Sequence, residues 1–277
     1  MTKFDNKQFD TPKLQEATKA YLTGNYEAAF NLFCELAGEN NGRAMYFLGC
    51  FYDGIKGVNV VKQSFGMSNA WFKLGAGRGD ALATLRVLED VDFKAEGNTS
   101  VSEFNDCLDA VKAMAMEGNA FAKMEMYYTY VFSNHVKRND KEAFKWCREA
   151  AEAGNPDGMM QLGFCYAGGW GVGKDYEEAR RWYQKAAELN NSKAMLFLGI
   201  LYGEGCGVKQ DQEEALKWYR KAAKLGERGA MFDLGVAYEG GFVVKKNYGK
   251  AVRWFQKAYD LGLEKAEPRL KELLKKI

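Results

Sequence analysis

The residues of this chain that could do chemistry fall into three sets. Gly168, Gly173 and Lys174, within "GGWGVGKDYEEARRWYQKAAE" (168–188), spell G-x-x-x-x-G-K, the outline of a loop that cradles nucleotide phosphates. Such a loop needs Ser or Thr after the lysine, because that hydroxyl holds magnesium. Asp175 stands there instead, and a carboxylate at that point would repel the phosphates. The loop must also follow a buried strand, whereas the preceding "GMMQLGFCYA" has no strand alternation and reads as a short helix. Nucleotide binding is therefore not expected. The second set is Cys34, Cys50, Cys107, Cys147, Cys165 and Cys206 with the single histidine, His135. No two cysteines form C-x-x-C, which argues against the usual Cys/His zinc site. Reduced, mostly buried thiols are expected, as in cytosolic proteins. His135, in "SNHVKRN", has no triad context and is expected to be a solvated loop residue. The third set is the many Asp and Glu side chains, which on helical surfaces are usually solvated or paired at i,i+4. None of the three sets implies a catalytic centre, a cofactor or a metal.

The elements that carry these residues are helical. Only three prolines occur in 277 residues, and Ala, Leu, Lys and Glu abound, which favours an all-α fold. Lys plus Arg number 39 against 37 Asp plus Glu, so nothing in the charge points to nucleic acid or an anionic membrane. No apolar run approaches the roughly 20 residues that span a bilayer. The opening "MTKFDNKQFDTPKLQ" lacks the apolar core of a secretory signal, so a cytoplasmic location is expected.

A repeat organises the chain. Trp146, Trp182, Trp218 and Trp254 are spaced by 36 residues, as are Gly163, Gly199 and Gly235, and Tyr166, Tyr202 and Tyr238. Several positions in one register make a solenoid. Seven residues before each Trp stand Asn139, Asp175, Asp211 and Asn247, good helix N-caps, and eight after it Gly154, Asn190, Gly226 and Gly262, which tolerate the left-handed turn that ends a helix. Each Trp thus lies midway along a helix of about four turns, with Trp182 and Trp218 expected in the core. Ala194, Leu198 and Tyr202 make a buried stripe on a second, shorter helix. Gly199 disfavours a helix by about 1 kcal/mol against Ala, so its recurrence implies close helix–helix approach. Upstream the register drifts: Trp71 with Gly79 follows a loop lengthened around "IKGVNVVKQS", and Ala110 and Leu32 take the Trp position in earlier units. The expectation is one domain over 1–277: a first pair at 13–40, repeats at 41–79, 80–118, 119–154, 155–190, 191–226 and 227–262, and a capping helix at 263–277. That is about seven helix pairs plus the cap.

Ala194, Leu198, Gly199, Tyr202, Gly205, Gly207 and Val208, followed by Ala215, Trp218, Tyr219, Lys221, Ala222 and Ala223, resemble the Sel-one-like repeat, a relative of the tetratricopeptide repeat. The likeness is strong over 140–262, moderate over 43–79 and weak over 80–130, where Leu88 and Tyr127 replace the helix Gly. The first pair, with Gly24, Tyr26 and Ala29, is similar to a tetratricopeptide unit. The resemblance implies a right-handed α/α superhelix that serves as a non-catalytic scaffold or adaptor and binds a protein or peptide in its concave groove. The competing reading is a small-molecule hydrolase or other enzyme with a pocket in the groove, and a polar cavity with converging carboxylates would favour it. By analogy with tetratricopeptide units, the groove positions are Tyr46 and Cys50, Leu85 and Glu89, Met124 and Tyr128, Met160 and Phe164, Leu196 and Ile200, and Phe232 and Val236. Two outcomes are open for this stripe. Tight curvature would bury it between adjacent helices; an open groove would expose Tyr46, Tyr128, Phe164 and Phe232 as aromatic anchors, with Met124 and Met160 adapting to the partner.

Overall fold

The helix starts follow the capping residues of the repeat. The computed structural model describes residues 4, 6–53, 61, 64–89 and 98–276. In it the Asn139 side chain accepts from the Glu142 amide, Asp175 from those of Glu177 and Glu178, Asp211 from Glu214 and Asn247 from Lys250. Each acceptor satisfies an amide that the first turn leaves unpaired. The first helices of the pairs have caps of their own in Asp80, Asn119, Asn155, Asn191 and Glu227, and from residue 120 onward they are 13 residues long like their partners, not shorter as expected. At the far ends of the Trp-bearing second helices Gly154, Asn190, Gly226 and Gly262 adopt positive φ.

Among the described residues these signals delimit fifteen α-helices and no strand. They are α1 (Pro12–Leu22), α2 (Tyr26–Gly38), α3 (Gly42–Asp53), α4 (Phe65–Gly77), α5 (Ala81–Leu88), α6 (Asn98–Met116), α7 (Ala120–Phe132) and α8 (Asp140–Glu152). Then follow α9 (Pro156–Gly168), α10 (Tyr176–Glu188), α11 (Ser192–Glu204), α12 (Gln212–Lys224), α13 (Arg228–Gly240), α14 (Tyr248–Asp260) and α15 (Ala266–Leu274). Consecutive helices pack into seven pairs, α1/α2 through α13/α14, with α15 closing the end against α14. This is the expected α/α solenoid. The lengthened loop at 55–64 lies largely outside the described residues. No described helix is long and apolar enough to cross a membrane.

The phosphate-loop outline is the turn between α9 and α10. Gly169 caps α9 in the left-handed conformation, and a Cβ on Gly171 would meet the Asp140 carbonyl oxygen at 2.0 Å. Asp175 is committed to the α10 amides, and Lys174 Nζ lies 4.5 Å from the centre of the Tyr176 ring.

The recurrent helix glycine makes room for an aromatic ring. A Cβ on Gly49 would lie 2.4 Å from Phe72, on Gly163 2.6 Å from Tyr183, on Gly199 2.4 Å from Tyr219 and on Gly235 2.7 Å from Phe255. Each ring belongs to the residue directly after a repeat Trp. This corrects the expectation that the tryptophans fill the core. Trp146 is buried, but Trp182, Trp218 and Trp254 are half-buried at the core edge. The ammonium groups of Lys185, Lys221 and Lys257 cover them at 4.1, 4.0 and 4.8 Å from the ring centres. Adjacent side chains on a helix diverge by about 100°, so only one of the two rings can face the partner helix. The Tyr or Phe takes that place and the indole is left at the seam.

Candidate partner-binding groove

The structure splits the expected groove stripe in two. In the amino-terminal half, Tyr46, Cys50, Leu85, Met124 and Tyr128 are buried by their own chain, as is Met160 where the halves meet. For Tyr46, Met124, Tyr128 and Met160 the buried outcome holds, and they are core rather than exposed anchors. The cause is curvature: the chain turns back tightly enough that Phe47 of α3 and Phe121 of α7, two helix pairs apart, stand with ring centres 4.6 Å apart. The Tyr46 hydroxyl donates to Glu125, and the Tyr128 hydroxyl donates to Asp157 Oδ2 at 2.6 Å. Arg86 lies in the same interior, 3.2 Å from Asp53, 3.7 Å from Glu125 and 3.9 Å from Glu89. Burial disfavours its charge, but the carboxylates of Glu125 and Asp53 outweigh that and hold the guanidinium protonated more firmly than in water. Glu89 also accepts from the Thr129 hydroxyl at 3.0 Å.

In the carboxy-terminal half the stripe opens. Phe164 is 41% exposed, and Leu196, Ile200, Phe232 and Val236 are half-buried. Phe164 and Leu196 line a cavity of about 670 Å³. Its wall includes four large aromatic side chains that the fold leaves in solvent: Phe65 at 67%, Phe132 at 69%, Phe164 and Trp170 at 44%. They come from the first residue of α4, the last of α7, the middle of α9 and the α9–α10 turn. Val131, Met160 and Phe197 add apolar wall, and the Phe164 and Phe197 rings lie 5.9 Å apart. The Arg138 guanidinium sits 5.3 Å from the Trp170 ring centre. Farther along α13, the Lys265 ammonium covers Phe232 at 4.3 Å. The positional analogy missed Phe65, Phe132, Trp170, Phe197 and Arg138. Four of these lie at helix ends, in turns or between helices, where a rule built on the middle of the first helix does not reach. Trp170 carried a usable signal, since a tryptophan directly after Gly168-Gly169 has no helix face on which to be buried.

Among the described residues three carboxylates reach the cavity wall, and each is engaged. Asp53 pairs with Arg86, Asp140 lies 2.8 Å from Arg138, and Glu227 accepts from the Gly229 amide at 3.2 Å and the Ser192 hydroxyl at 3.4 Å. The arrangement supplies ion pairs and a helix cap on an apolar wall. It does not set an acid opposite a base. Burial pushes the pKa of Asp233 on α13 up to about 6, with Lys265 opposing and Glu227 adding to the shift. His135 does lie between α7 and α8, but it is not solvated as expected. Its ring packs at a steep angle against the buried Phe104, with centres 5.2 Å apart, and the side chain is half-buried. The six cysteines are thiols rather than disulfides, and Cys50, Cys107, Cys147 and Cys165 are buried.

Five copies of the Sel1 repeat match the chain, at residues 42–80, 128–155, 156–191, 192–227 and 229–263. The chain belongs to the Sel1 repeat family. Repeats of this family generally mediate protein–protein interaction and act as non-catalytic scaffolding. Two solved structures are similar to this Sel1 repeat protein over nearly all of its length. One is a protective antigen present in uropathogenic Escherichia coli strains, with 26% identity and a TM-score of 0.58 over 96% of this chain. The present chain spans 56% of that antigen's length. The other is a Sel1 repeat protein from Oxalobacter formigenes, with 28% identity and a TM-score of 0.55, covering 90% of this chain and 97% of that one. Comparison with curated proteins gives no match. Residues 81–127 of this Sel1 repeat protein lie between matched copies, in the stretch where Leu88 and Tyr127 stand in for the helix glycine.

Proposed function

We propose that this chain is a non-catalytic scaffold that holds a segment of a partner protein in the cavity between α4, α7, α9 and α11. The observation that carries this reading is the convergence of Phe65, Phe132, Phe164 and Trp170, all exposed, on one cavity. Scattered apolar residues are ordinary on a protein surface, whereas a contiguous apolar patch rimmed by charge marks an interaction site. Aromatic side chains in such a patch are the usual energetic anchors. Of the positions read from the repeat, Phe164 and Leu196 remain as direct contacts, with Ile200, Phe232 and Val236 extending the surface along α11 and α13. The engaged state of Asp53, Asp140 and Glu227 speaks for a docking surface over a hydrolytic pocket. Six cysteine thiols suit a reducing, cytoplasmic setting.

The test is affinity capture from source lysate, read by mass spectrometry, with wild-type protein beside Phe164→Ser and Phe132→Ser. Both side chains are already in solvent, so the melting temperatures should stay within a degree or two of wild type. Proteins enriched by the wild type should be lost from both variants. If the same proteins are captured at the same yield by both variants, the groove is not the docking site.

A further inference from the structure

In a solenoid each repeat touches only its neighbours along the chain. Phe121 of α7 already breaks that rule by meeting Tyr21 of α1 and Phe47 of α3, and a further set of contacts spans far more of the chain. The Tyr26 hydroxyl, at the start of α2, donates to the Leu189 carbonyl oxygen at 3.0 Å across 163 residues. Asn190 Nδ2 donates to the Gly24 carbonyl oxygen at 3.3 Å. The first partner of each pair belongs to the α1–α2 turn region or the α10–α11 turn, so the two turns are clasped from both sides. They meet backbone to backbone: a Cβ on Gly24 would lie 2.4 Å from the Leu189 carbonyl oxygen and 2.6 Å from its carbon, and φ of Gly24 is +76°.

Gly154, Gly226 and Gly262 hold the equivalent left-handed turn at φ 84°, whereas Asn190 holds it at φ 57° and Asn40, after α2, at φ 64°. Either residue suits the backbone there. At 190 the asparagine amide also donates across to Gly24, which glycine could not do.

The α1–α2 hairpin reaches this clasp over a gap. A second cavity, of about 500 Å³, lies beside α1, with Leu14, Gln15 and Leu22 on one wall and Met114, Asn119 and Phe121 on another. Tyr21 anchors α1 on the inner side, its ring centre 5.5 Å from that of Phe121. α2 also packs on α3, with the Phe33 and Phe47 rings stacked 4.4 Å apart, so the clasp is a second, distant tie on this hairpin, and an end helix pair beside a cavity can loosen at such a tie without unfolding the repeats beyond it. Leu189 and Asn190 lead directly into α11, whose Lys193, Leu196 and Phe197 form a wall of the groove.

We propose that the α1–α2 hairpin is an intramolecular strap whose clasp on the α10–α11 turn sets the position of α11 and thereby the width of the groove. The strap stands on its own contacts; only its consequence for partner capture rests on the groove being the docking site. Asn190→Gly is the decisive variant, because it installs the residue that other units carry and removes only the cross-turn donor. Gly24→Ala is the stronger perturbation, and Asn190→Gly decides alone if Gly24→Ala does not fold.

The assay is hydrogen–deuterium exchange of the full chain, with 5-fluorotryptophan NMR of Trp170, assigned through Trp170→Phe, reporting on the groove. Asn190→Gly should raise exchange in peptides covering residues 12–26 and 186–200 about fivefold, the factor that the net worth of one hydrogen bond represents. Exchange in α13 and α14 should be unchanged, and the Trp170 resonance should move. Unchanged exchange at both turns overturns the strap. Raised exchange with an unmoved Trp170 resonance overturns its control of the groove. Neither result bears on whether the groove binds a partner, which the Phe164→Ser capture experiment reads separately.

Discussion

Gly163→Ala places a methyl group where the Tyr183 ring already lies. In an open helix the change would help, since alanine is better than glycine by about 1 kcal/mol. Here the new Cβ would stand 2.6 Å from Tyr183 Cδ1, 2.7 Å from Cε1 and 3.1 Å from the Ala179 carbonyl oxygen. Carbon atoms in ordinary contact are about 3.5–4.0 Å apart. The ring has nowhere to go: Tyr183 is 1% exposed and is stacked on Phe197 with centres 5.2 Å apart. Overpacking of this kind costs roughly 1–3 kcal/mol, and two ring carbons with a backbone oxygen behind them put this site at the upper end. After subtraction of the propensity gain, Gly163→Ala should destabilise by about 2 kcal/mol. Urea unfolding followed by far-UV circular dichroism measures it. Gly66→Ala is the control, because a Cβ there meets nothing within 4 Å, and it should be neutral or stabilising. In a Tyr183→Leu background the ring is gone and Gly163→Ala should also turn stabilising. A Gly163→Ala protein as stable as Gly66→Ala, or a penalty that persists without the ring, would refute the account of the repeat glycine.

The other expectations concern pH and thiols. Asp233 has its pKa raised by burial to about 6 from a usual value of 3.8, so the folded state takes up its proton before the unfolded state does. Its contribution therefore opposes folding at pH 7, and stability is regained as pH falls from about 6 towards 4. Asp233→Asn should stabilise the protein by roughly 2 kcal/mol at pH 7 and much less at pH 4, as read by urea unfolding at the two pH values; an equal gain at both would show that the carboxyl is not titrating there. Cys34 is exposed and Cys50, Cys107, Cys147 and Cys165 are buried. Iodoacetamide should accordingly alkylate Cys34 in the native protein while sparing those four, and peptide mapping that finds the buried four modified as fast as Cys34 would contradict the packing.

What the sequence determined by itself was everything set within one repeat. Asn139, Asp175, Asp211 and Asn247 cap helices because a side-chain oxygen two or three residues from a loose amide is a local matter. Gly154, Gly226 and Gly262 end helices because positive φ is a property of one residue. The 36-residue register of Trp and Gly established the solenoid, and even the need for close approach at Gly199 was legible, though not that the ring filling the space comes from Tyr219. What only the tertiary structure decided were the quantities that accumulate from repeat to repeat. Curvature is the sum of small rotations at each helix interface, and it determines whether a first-helix position faces solvent or another helix. Tyr128 occupies the register of Phe164 and Tyr46 that of the half-buried Leu196 and Phe232, yet convergence of α3, α5 and α7 makes both tyrosines core and leaves Phe164 exposed. The same accumulated turn brings Phe65 to the cavity that Phe164 lines. It also brings Gly24 against Leu189, a contact between residues whose own neighbourhoods carry no mark of each other.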